Sequence, residues 1–225
     1  MFDPLQLIYE GFYDPCVFKL LFIIGGTGSG KSYISEKLGL AHMGLVLINS
    51  DYPLEKYMIK QGLDLKMPAN QHDQRVKVRQ KAKDVTQSKE DLAISQRLGL
   101  LVNGTGADLK STIILDEKLK SIGYDSAMIL VNTDQETALK RNSTRNRSVP
   151  NEIAIQKWNE VQKNIGFYQN HFDPFYVIDN SEDSDVEPQI QNVYKKVFTW
   201  CRTKPRNSKA IEELQKMKAD RGIKS

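Results

Sequence analysis

Short apolar segments alternate along the chain with longer segments of mixed polarity. The apolar segments have the length of buried strands, and the mixed segments have the composition of helices. The predicted strands are residues 17–24, 45–48, 98–102, 127–131 and 175–178. The predicted helices are residues 31–43, two helices within 73–96, and then 108–121, 134–142, 151–170 and 186–200.

This alternation of strands and helices indicates βαβ units and an α/β fold. We expect a parallel sheet of about five strands with helices on both faces. In such sheets ligands bind at the carboxyl ends of the strands, so polar residues that follow a predicted strand are the candidates for function. The domain is predicted to span residues 1–201, with a lid at about 141–150, and residues 202–225 are predicted to form a basic, helical tail.

A phosphate-binding motif follows the first predicted strand and opens the first predicted helix. Residues 25–32 read Gly-Gly-Thr-Gly-Ser-Gly-Lys-Ser and match the pattern G-x-x-x-x-G-K-[ST] in full. The glycines allow backbone N–H groups to surround a phosphate. Lys31 is expected to neutralise the β- and γ-phosphates of ATP, and Ser32 to bind Mg²⁺. The nucleotide-binding residues are therefore predicted to be Gly25, Gly26, Thr27, Gly28, Ser29, Gly30, Lys31, Ser32 and Tyr33.

An acid at the end of the second strand favours a kinase over a switch or motor NTPase. Motor NTPases usually hold Mg²⁺ through an Asp after a later strand, whereas the third strand here is followed by Asn103. Asp51 instead follows the second strand, where small-molecule kinases commonly place the carboxylate that activates the acceptor. Asp51 is therefore predicted as catalytic base and as a Mg²⁺ ligand. Alternatively, Asp51 only caps the following helix.

An arginine-rich segment follows the fourth strand and its helix. Arg141, Arg145 and Arg147 lie where the lid of a kinase brings guanidinium groups to the transferring phosphate. Arg141 and Arg145 are the predicted catalytic arginines, and Arg147 is assigned to nucleotide binding. A solvated helix face is the alternative for all three.

Two further segments are assigned by position. Residues 75–81 carry Arg75 and Arg79 four residues apart, on one helix face that would suit an anionic acceptor such as a nucleotide or sugar nucleotide. A solvated basic helix explains this pattern equally well. Asp179 and Asn180, after the fifth strand, lie where an adenine ring often rests.

Charge and composition narrow the remaining possibilities. The formal net charge is +4, but the surplus comes from residues 202–225, with eight Lys/Arg against three acids. A solvated tail or a contact with nucleic acid both fit that surplus. No apolar segment approaches the roughly 20 residues of a membrane span, and no secretory signal is recognised. The two cysteines are too few for a disulfide framework, so a cytoplasmic setting is expected.

Several of these segments together resemble one family of kinases. The resemblance is to the zeta-toxin-like P-loop kinases, and it spans roughly residues 10–180. More narrowly, the chain resembles the zeta-toxin-like proteins of T4-like bacteriophages, which would place it in a host cytoplasm. The segments that carry the resemblance are residues 25–32, Asn49-Ser50-Asp51, Asn103-Gly104-Thr105-Gly106, the arginine-rich segment before Val149-Pro150, Tyr13-Asp14-Pro15 and Val131-Asn132-Thr133.

The resemblance implies ATP-dependent phosphorylation of a small hydroxyl-bearing acceptor, which in the toxin members is a UDP-linked amino sugar. It assigns Lys31 and Ser32 to ATP and Mg²⁺, Asp51 to the catalytic base, and Arg141 or Arg145 to the lid. Two alternatives stay open. One is a kinase of nucleotides or polynucleotide ends, and the other is a regulatory or structural protein that binds ATP without transferring phosphate.

Overall fold

A parallel sheet forms the centre of the protein. The computed structural model describes residues 14–66, 68–145 and 148–220. The strands are β1 (Lys19–Ile24), β2 (Leu45–Ile48), β3 (Gly99–Asn103), β4 (Asp125–Asn132) and β5 (Phe175–Asp179). They pair in parallel in the order β2-β3-β1-β4-β5. The predicted α/β fold and five-stranded parallel sheet are confirmed.

Eight α-helices are present in the described part of the chain. They are α1 (Lys31–Lys37), α2 (Asp51–Lys60), α3 (His72–Ser95), α4 (Leu109–Lys120), α5 (Gln135–Thr144), α6 (Asn151–His171), α7 (Val186–Arg202) and α8 (Ser208–Asp220). The predicted helix over 31–43 is too long. Gly39 adopts the left-handed conformation with φ 57°, which ends α1 and separates it from a 3₁₀ turn over Leu40–Met43.

The segment between β2 and β3 differs most from its prediction. Two helices were expected within 73–96, but α3 is a single helix of 24 residues. No Gly or Pro interrupts it, and Val78 and Ala82 are buried one turn apart. Helix α2 was not among the predicted helices, although the alternative role of Asp51 as a cap implied a helix after it. It contributes Leu54 and Met58 to the same small hydrophobic cluster, so α2 and α3 stabilise each other by packing.

The central strand β1 is buried on both faces. Leu21 and Ile23 belong to the cluster that α1 and α7 cover. Leu20 and Phe22 belong to the cluster on the other face, with contributions from α4, α6 and α8. Because successive side chains of a strand point to opposite faces, the unbroken apolar run of β1 fits a sheet with helices on both sides. Its carboxyl end is thereby held rigidly in the middle of the sheet.

The basic tail packs on the opposite, amino edge of the sheet. Asp125 accepts an ion-pair contact from the buried Lys19 at 3.0 Å, and the backbone N–H groups of Arg206 and Asn207 donate to the same carboxylate at 2.8 and 3.1 Å. Ala210 is buried, and Arg97 pairs with Glu213 at 2.7 Å. The expectation of a solvated tail is therefore wrong for this part of it. No helix in the described residues has the length and apolar character to cross a membrane.

Candidate nucleotide-binding site

The phosphate-binding motif forms a compact loop at the carboxyl edge of the sheet. The loop leaves β1 at Ile24 and enters α1 at Lys31. The backbone N–H of Gly25 donates to Thr105 O at 3.2 Å, which fastens the loop to the segment after β3. Within the loop, Ser29 N donates to Gly26 O at 3.2 Å. The motif therefore lies at the carboxyl ends of the strands, where the sequence predicted a ligand site.

Two glycines of this loop cannot be replaced without displacing their neighbours. Gly28 and Gly30 have φ values of 82° and 84°, a region that favours glycine. A Cβ atom on Gly28 would lie 2.0 Å from Ala138 O, and one on Gly30 would lie 2.2 Å from Asn180 Nδ2. The buried Ser29 Oγ has no hydrogen-bond partner among the described residues. A loop this tight, with an unsatisfied hydroxyl, fits the phosphate cradle that the motif predicts.

Lys31 folds back onto the loop. Its Nζ donates to Gly25 O at 2.6 Å and to Gly26 O at 3.3 Å. Burial and, to a smaller extent, the Arg145 charge lower the pKa of Lys31 to about 8, whereas the Asp51 carboxylate acts in the opposite direction. Of the predicted catalytic residues, Arg145 and Asp51 therefore lie near enough to Lys31 for their charges to act on it.

Asp51 is the first residue of α2 and lies at the carboxyl end of β2. Its backbone N–H donates to Asn49 Oδ1 at 2.7 Å, and its side chain is exposed. Ser50, rather than Asp51, occupies the N-cap position. Asp51 stabilises the helix electrostatically as an acid in the first turn, while its carboxylate stays accessible to a ligand.

The two described lid arginines lie in different surroundings. Arg141 Nη1 donates to Asn180 O at 2.8 Å and lies close to Gly30, 3.7 Å from the position of its absent Cβ. Arg145 follows α5, and its carbonyl accepts a hydrogen bond of 2.8 Å from Lys66 Nζ. Of these two arginines, Arg145 is the one whose charge lowers the pKa of Lys31. Arg147, assigned to nucleotide binding, lies outside the described residues.

A cavity of about 410 Å³ lies beside the loop. This volume is in the range of small-molecule sites. Asn180 reaches the cavity, as its predicted position implied. Asp179 instead accepts hydrogen bonds from Ser181 Oγ at 2.6 Å and Ser184 Oγ at 2.8 Å; these bonds hold the pKa of Asp179 below its usual range although burial opposes them. The cavity is lined by Gly30, Tyr33, Arg141, Asn180, Ser181, Glu182, Ser184 and Val186.

The family follows from a match over most of the chain. A family model described as Zeta toxin matches residues 17–187. The chain belongs to the Zeta toxin family. This confirms the resemblance drawn from the motifs at the level of the family. A comparison of the sequence with curated proteins gave no match.

Solved structures similar to this zeta-toxin domain share its fold at low identity. A putative kinase from Chloroflexus aurantiacus J-10-fl is 13% identical, with a TM-score of 0.54 over 80% of this chain and 98% of that chain. The PezAT toxin–antitoxin system of Streptococcus pneumoniae gives 15% identity and a TM-score of 0.53 over 89% of this chain and 98% of that chain. An AvrRxo1-ORF1:-ORF2 structure with ATP is 15% identical, with a TM-score of 0.58 over 86% of this chain and 70% of that chain. These likenesses establish a P-loop kinase-like fold.

Helix α6 supplies residues of the zeta-toxin site that the sequence did not reveal. Trp158 Nε1 donates to Thr133 O at 2.9 Å, and its side chain lies 3.6 Å from the position of a Cβ on Gly26. Gln162, one turn later, donates to Asn132 Oδ1 at 2.8 Å. Trp158 and Gln162 are four residues apart and therefore lie on one face of α6. The sequence does not indicate that this face contacts the loops after β1 and β4.

The oxygen donors at the loop suit Mg²⁺. Mg²⁺ usually binds one or two protein groups together with phosphates and water, and two such groups are the Ser32 hydroxyl at the start of α1 and the Asp51 carboxylate at the start of α2. Asn103 ends β3 beside Ile23 in the parallel register. It places a neutral amide next to the loop, as the sequence predicted. Within the described residues, no three His, Cys, Asp or Glu side chains converge on a common metal position.

Proposed function

We propose that this zeta-toxin domain is an ATP-dependent phosphotransferase that moves the γ-phosphate of ATP to a hydroxyl group of a small acceptor. The observation that carries the proposal is the electrostatic grouping of Lys31, Asp51 and Arg145 at a complete P-loop. A cation, an acid and a guanidinium at a phosphate cradle are the parts that phosphoryl transfer needs. The ATP in a structure of similar fold supports the choice of nucleotide.

In this proposal the triphosphate binds to residues 25–32 and the base occupies the adjoining cavity. Lys31 exchanges its bonds to the loop carbonyls for the β- and γ-phosphates. Arg141 and Tyr33 line the base cavity, so they contribute to nucleotide affinity. Ser32 and Asp51 would hold Mg²⁺, which would neutralise charge on the phosphates.

Asp51 and Arg145 carry the chemical step. The exposed Asp51 carboxylate orients the acceptor hydroxyl and accepts its proton. Arg145 stabilises the negative charge of the transferring phosphoryl group, because its charge already reaches Lys31. Of the two arginines assigned to the lid, Arg145 is therefore the better candidate for catalysis, and Arg141 for nucleotide binding.

The acceptor site is assigned to the space between α2, α3 and the lid. Lys66 connects these parts through its bond to Arg145 O, and Arg75 lies in the first turns of α3, where its Nη1 donates to Pro68 O at 3.0 Å. Cations in this region suit an anionic acceptor. A kinase of nucleotide or polynucleotide ends is the alternative within the same chemistry. A phage origin and action in a host cytoplasm stay predictions from the sequence.

Transfer from γ-labelled ATP tests the proposal. Nucleosides, nucleotides, sugar nucleotides and oligonucleotides serve as acceptors for the wild type and for Asp51→Asn and Lys31→Ala. We expect labelled product with the wild type, loss of transfer without loss of ATP binding in Asp51→Asn, and weak ATP binding in Lys31→Ala. Glu117→Gln is the control, because Glu117 is an exposed acid in α4, outside the proposed nucleotide and acceptor sites.

Each outcome of this experiment has a defined meaning. ATP binding without transfer to any acceptor would favour the alternative of a regulatory P-loop protein, for which the neutral Asn103 is the sequence argument. Transfer that survives Asp51→Asn would contradict the assignment of the base. Transfer only to oligonucleotides would select the polynucleotide-end kinase.

A further inference from the structure

Asn180 connects three loops at the carboxyl edge of the sheet. Its Nδ2 donates to Ser29 O of the phosphate loop at 2.8 Å. Its backbone carbonyl accepts from Arg141 Nη1 at 2.8 Å and from Thr133 Oγ1 at 3.3 Å. Its backbone N–H donates to Asn132 O at 2.9 Å. Asn180 is 7% exposed, so these bonds are shielded from water.

These bonds cross the sheet. Ser29 follows β1 and Asn180 follows β5, and β4 lies between these two strands. Neighbouring strands are about 4.8 Å apart, so the short Asn180 side chain reaches Ser29 O only because the phosphate loop extends over the end of β4. Gly30 leaves room for it, because a Cβ on Gly30 would lie 2.2 Å from Asn180 Nδ2. The phosphate loop therefore accommodates the Asn180 amide because residue 30 is a glycine.

We propose that Asn180 is a positioning residue, which fixes the phosphate loop through Ser29 O and fixes Arg141 through its own carbonyl. This inference rests on the proposed nucleotide site. It differs from the positional expectation that Asn180 contacts the adenine ring. A positioning role makes triphosphate binding depend on Asn180 whether or not a base is attached, whereas a base contact affects only the complete nucleotide.

Inorganic tripolyphosphate and ATP, each with Mg²⁺, separate the two roles. Their affinities are measured by titration calorimetry for the wild type and for Asn180→Leu, which removes the amide at similar volume without adding charge. Loss of a buried hydrogen bond predicts roughly tenfold weaker binding. We expect this loss for both ligands. An unchanged affinity for tripolyphosphate, with or without a weaker affinity for ATP, would overturn the positioning role.

A second variant covers the case that Asn180→Leu does not fold. Asn180→Asp keeps the shape of the side chain but places a carboxylate oxygen against Ser29 O, and we expect the binding of both ligands to weaken at least as much. Full affinity of Asn180→Asp for both ligands would overturn the proposal.

Asn207 provides the matched structural control. Its Nδ2 donates to Lys120 O at 2.8 Å, a bond of the same kind at the opposite edge of the sheet. Asn207→Leu should lower the free energy of unfolding but leave both affinities at the wild-type value. Equal losses of affinity in Asn180→Leu and Asn207→Leu would mean that Asn180 contributes only to the general stability of the protein, and would overturn the positioning role.

Because the measurement is binding, failure of the wild type to transfer phosphate would contradict the proposed function and leave this inference standing. A wild type that binds neither ligand would overturn both.

Discussion

The side chain of Asn142 forms two hydrogen bonds with the backbone of Val149. Its Nδ2 donates to Val149 O at 2.8 Å, and its Oδ1 accepts from Val149 N at 3.2 Å. Asn142 is 1% exposed. This pair closes the loop that carries Arg145 and fixes where the chain leaves α5 and where it approaches α6. The two ends of the lid, at Asn142 and Val149, are therefore joined through one buried amide.

Asn142→Leu should damage the lid more than the nucleotide site. We expect the free energy of unfolding to fall by about 1–3 kcal/mol, because two partly buried backbone groups of Val149 lose their partner. Transfer should fall at saturating ATP while ATP affinity stays near the wild-type value, since the phosphate loop keeps its contacts. Urea unfolding and steady-state kinetics measure the two effects. An equal loss of kcat and of ATP affinity would contradict the separation of lid and loop.

Arg141 and Arg145 should affect different kinetic constants. Arg141 is bonded to Asn180 O beside the base cavity, so Arg141→Ala should weaken ATP binding and largely preserve kcat. Arg145→Ala should lower kcat by about a hundredfold or more, the effect of losing one donor that stabilises a transition state.

Lys118→Ala is the control for the arginine variants. Lys118 is an exposed cation in the last turn of α4, outside the proposed nucleotide site. It should change neither constant measurably. A larger kcat effect for Arg141→Ala than for Arg145→Ala would reverse the assignment of roles.

Nucleotide binding should depend on pH through Lys31. Its pKa is lowered to about 8 in the free protein, and a bound triphosphate favours the charged form and raises that pKa. Above pH 8 the complex then holds a proton that the free protein lacks. Affinity should decrease as the pH rises above 8, with proton uptake on binding.

Calorimetry at pH 8.5 in buffers of different ionisation enthalpy measures this uptake. Lys31→Arg is the control, because a guanidinium stays charged throughout this range and should bind without the uptake. Wild-type binding at pH 8.5 with no dependence on the buffer would contradict the lowered pKa.

The sequence predicted those parts of the site that depend on local order along the chain. Residues 25–32 and Asp51 follow directly from strand ends and a motif, and the structure places them at one edge of the sheet. The role of Asn180 could not be read in this way. Its partner Ser29 is 151 residues away in the sequence. The two residues meet only because β4 pairs with β1 and β5 pairs with β4 in the folded sheet.

The prediction failed where tertiary packing decides the structure. Helix α2 has mixed polarity and no strong signal of its own, and Leu54 and Met58 are buried only because α3 packs against them. The prediction of a solvated basic tail was wrong for the same reason. Its charge pattern is typical of a solvated helix, but Arg206 and Asn207 donate backbone N–H groups to Asp125, a residue whose position depends on the start of β4.

Asp125 should therefore contribute strongly to stability. It is 8% exposed and neutralises Lys19, which is 1% exposed. Asp125→Leu would leave a buried ammonium group unpaired, and we expect a loss of about 3–5 kcal/mol in the free energy of unfolding. Asp173→Leu is the control, because Asp173 is exposed and its contact with Arg206 is 3.8 Å; it should cost less than about 1 kcal/mol. Urea denaturation compares the two.

Deletion of residues 203–225 should also destabilise the protein, because Asp125 loses two backbone donors and the cluster under α8 loses the buried Ala210. A loss of nucleic-acid binding after this deletion would consequently not identify the tail as a binding surface.

The exposed Lys204 and Lys216 allow a cleaner test, since Lys204→Gln with Lys216→Gln should leave the free energy of unfolding within about 0.5 kcal/mol of the wild-type value. If the tail binds DNA or RNA through these charges, the double variant should lower both the affinity and its salt dependence. Unchanged filter binding across a salt series would exclude these two charges as a nucleic-acid contact.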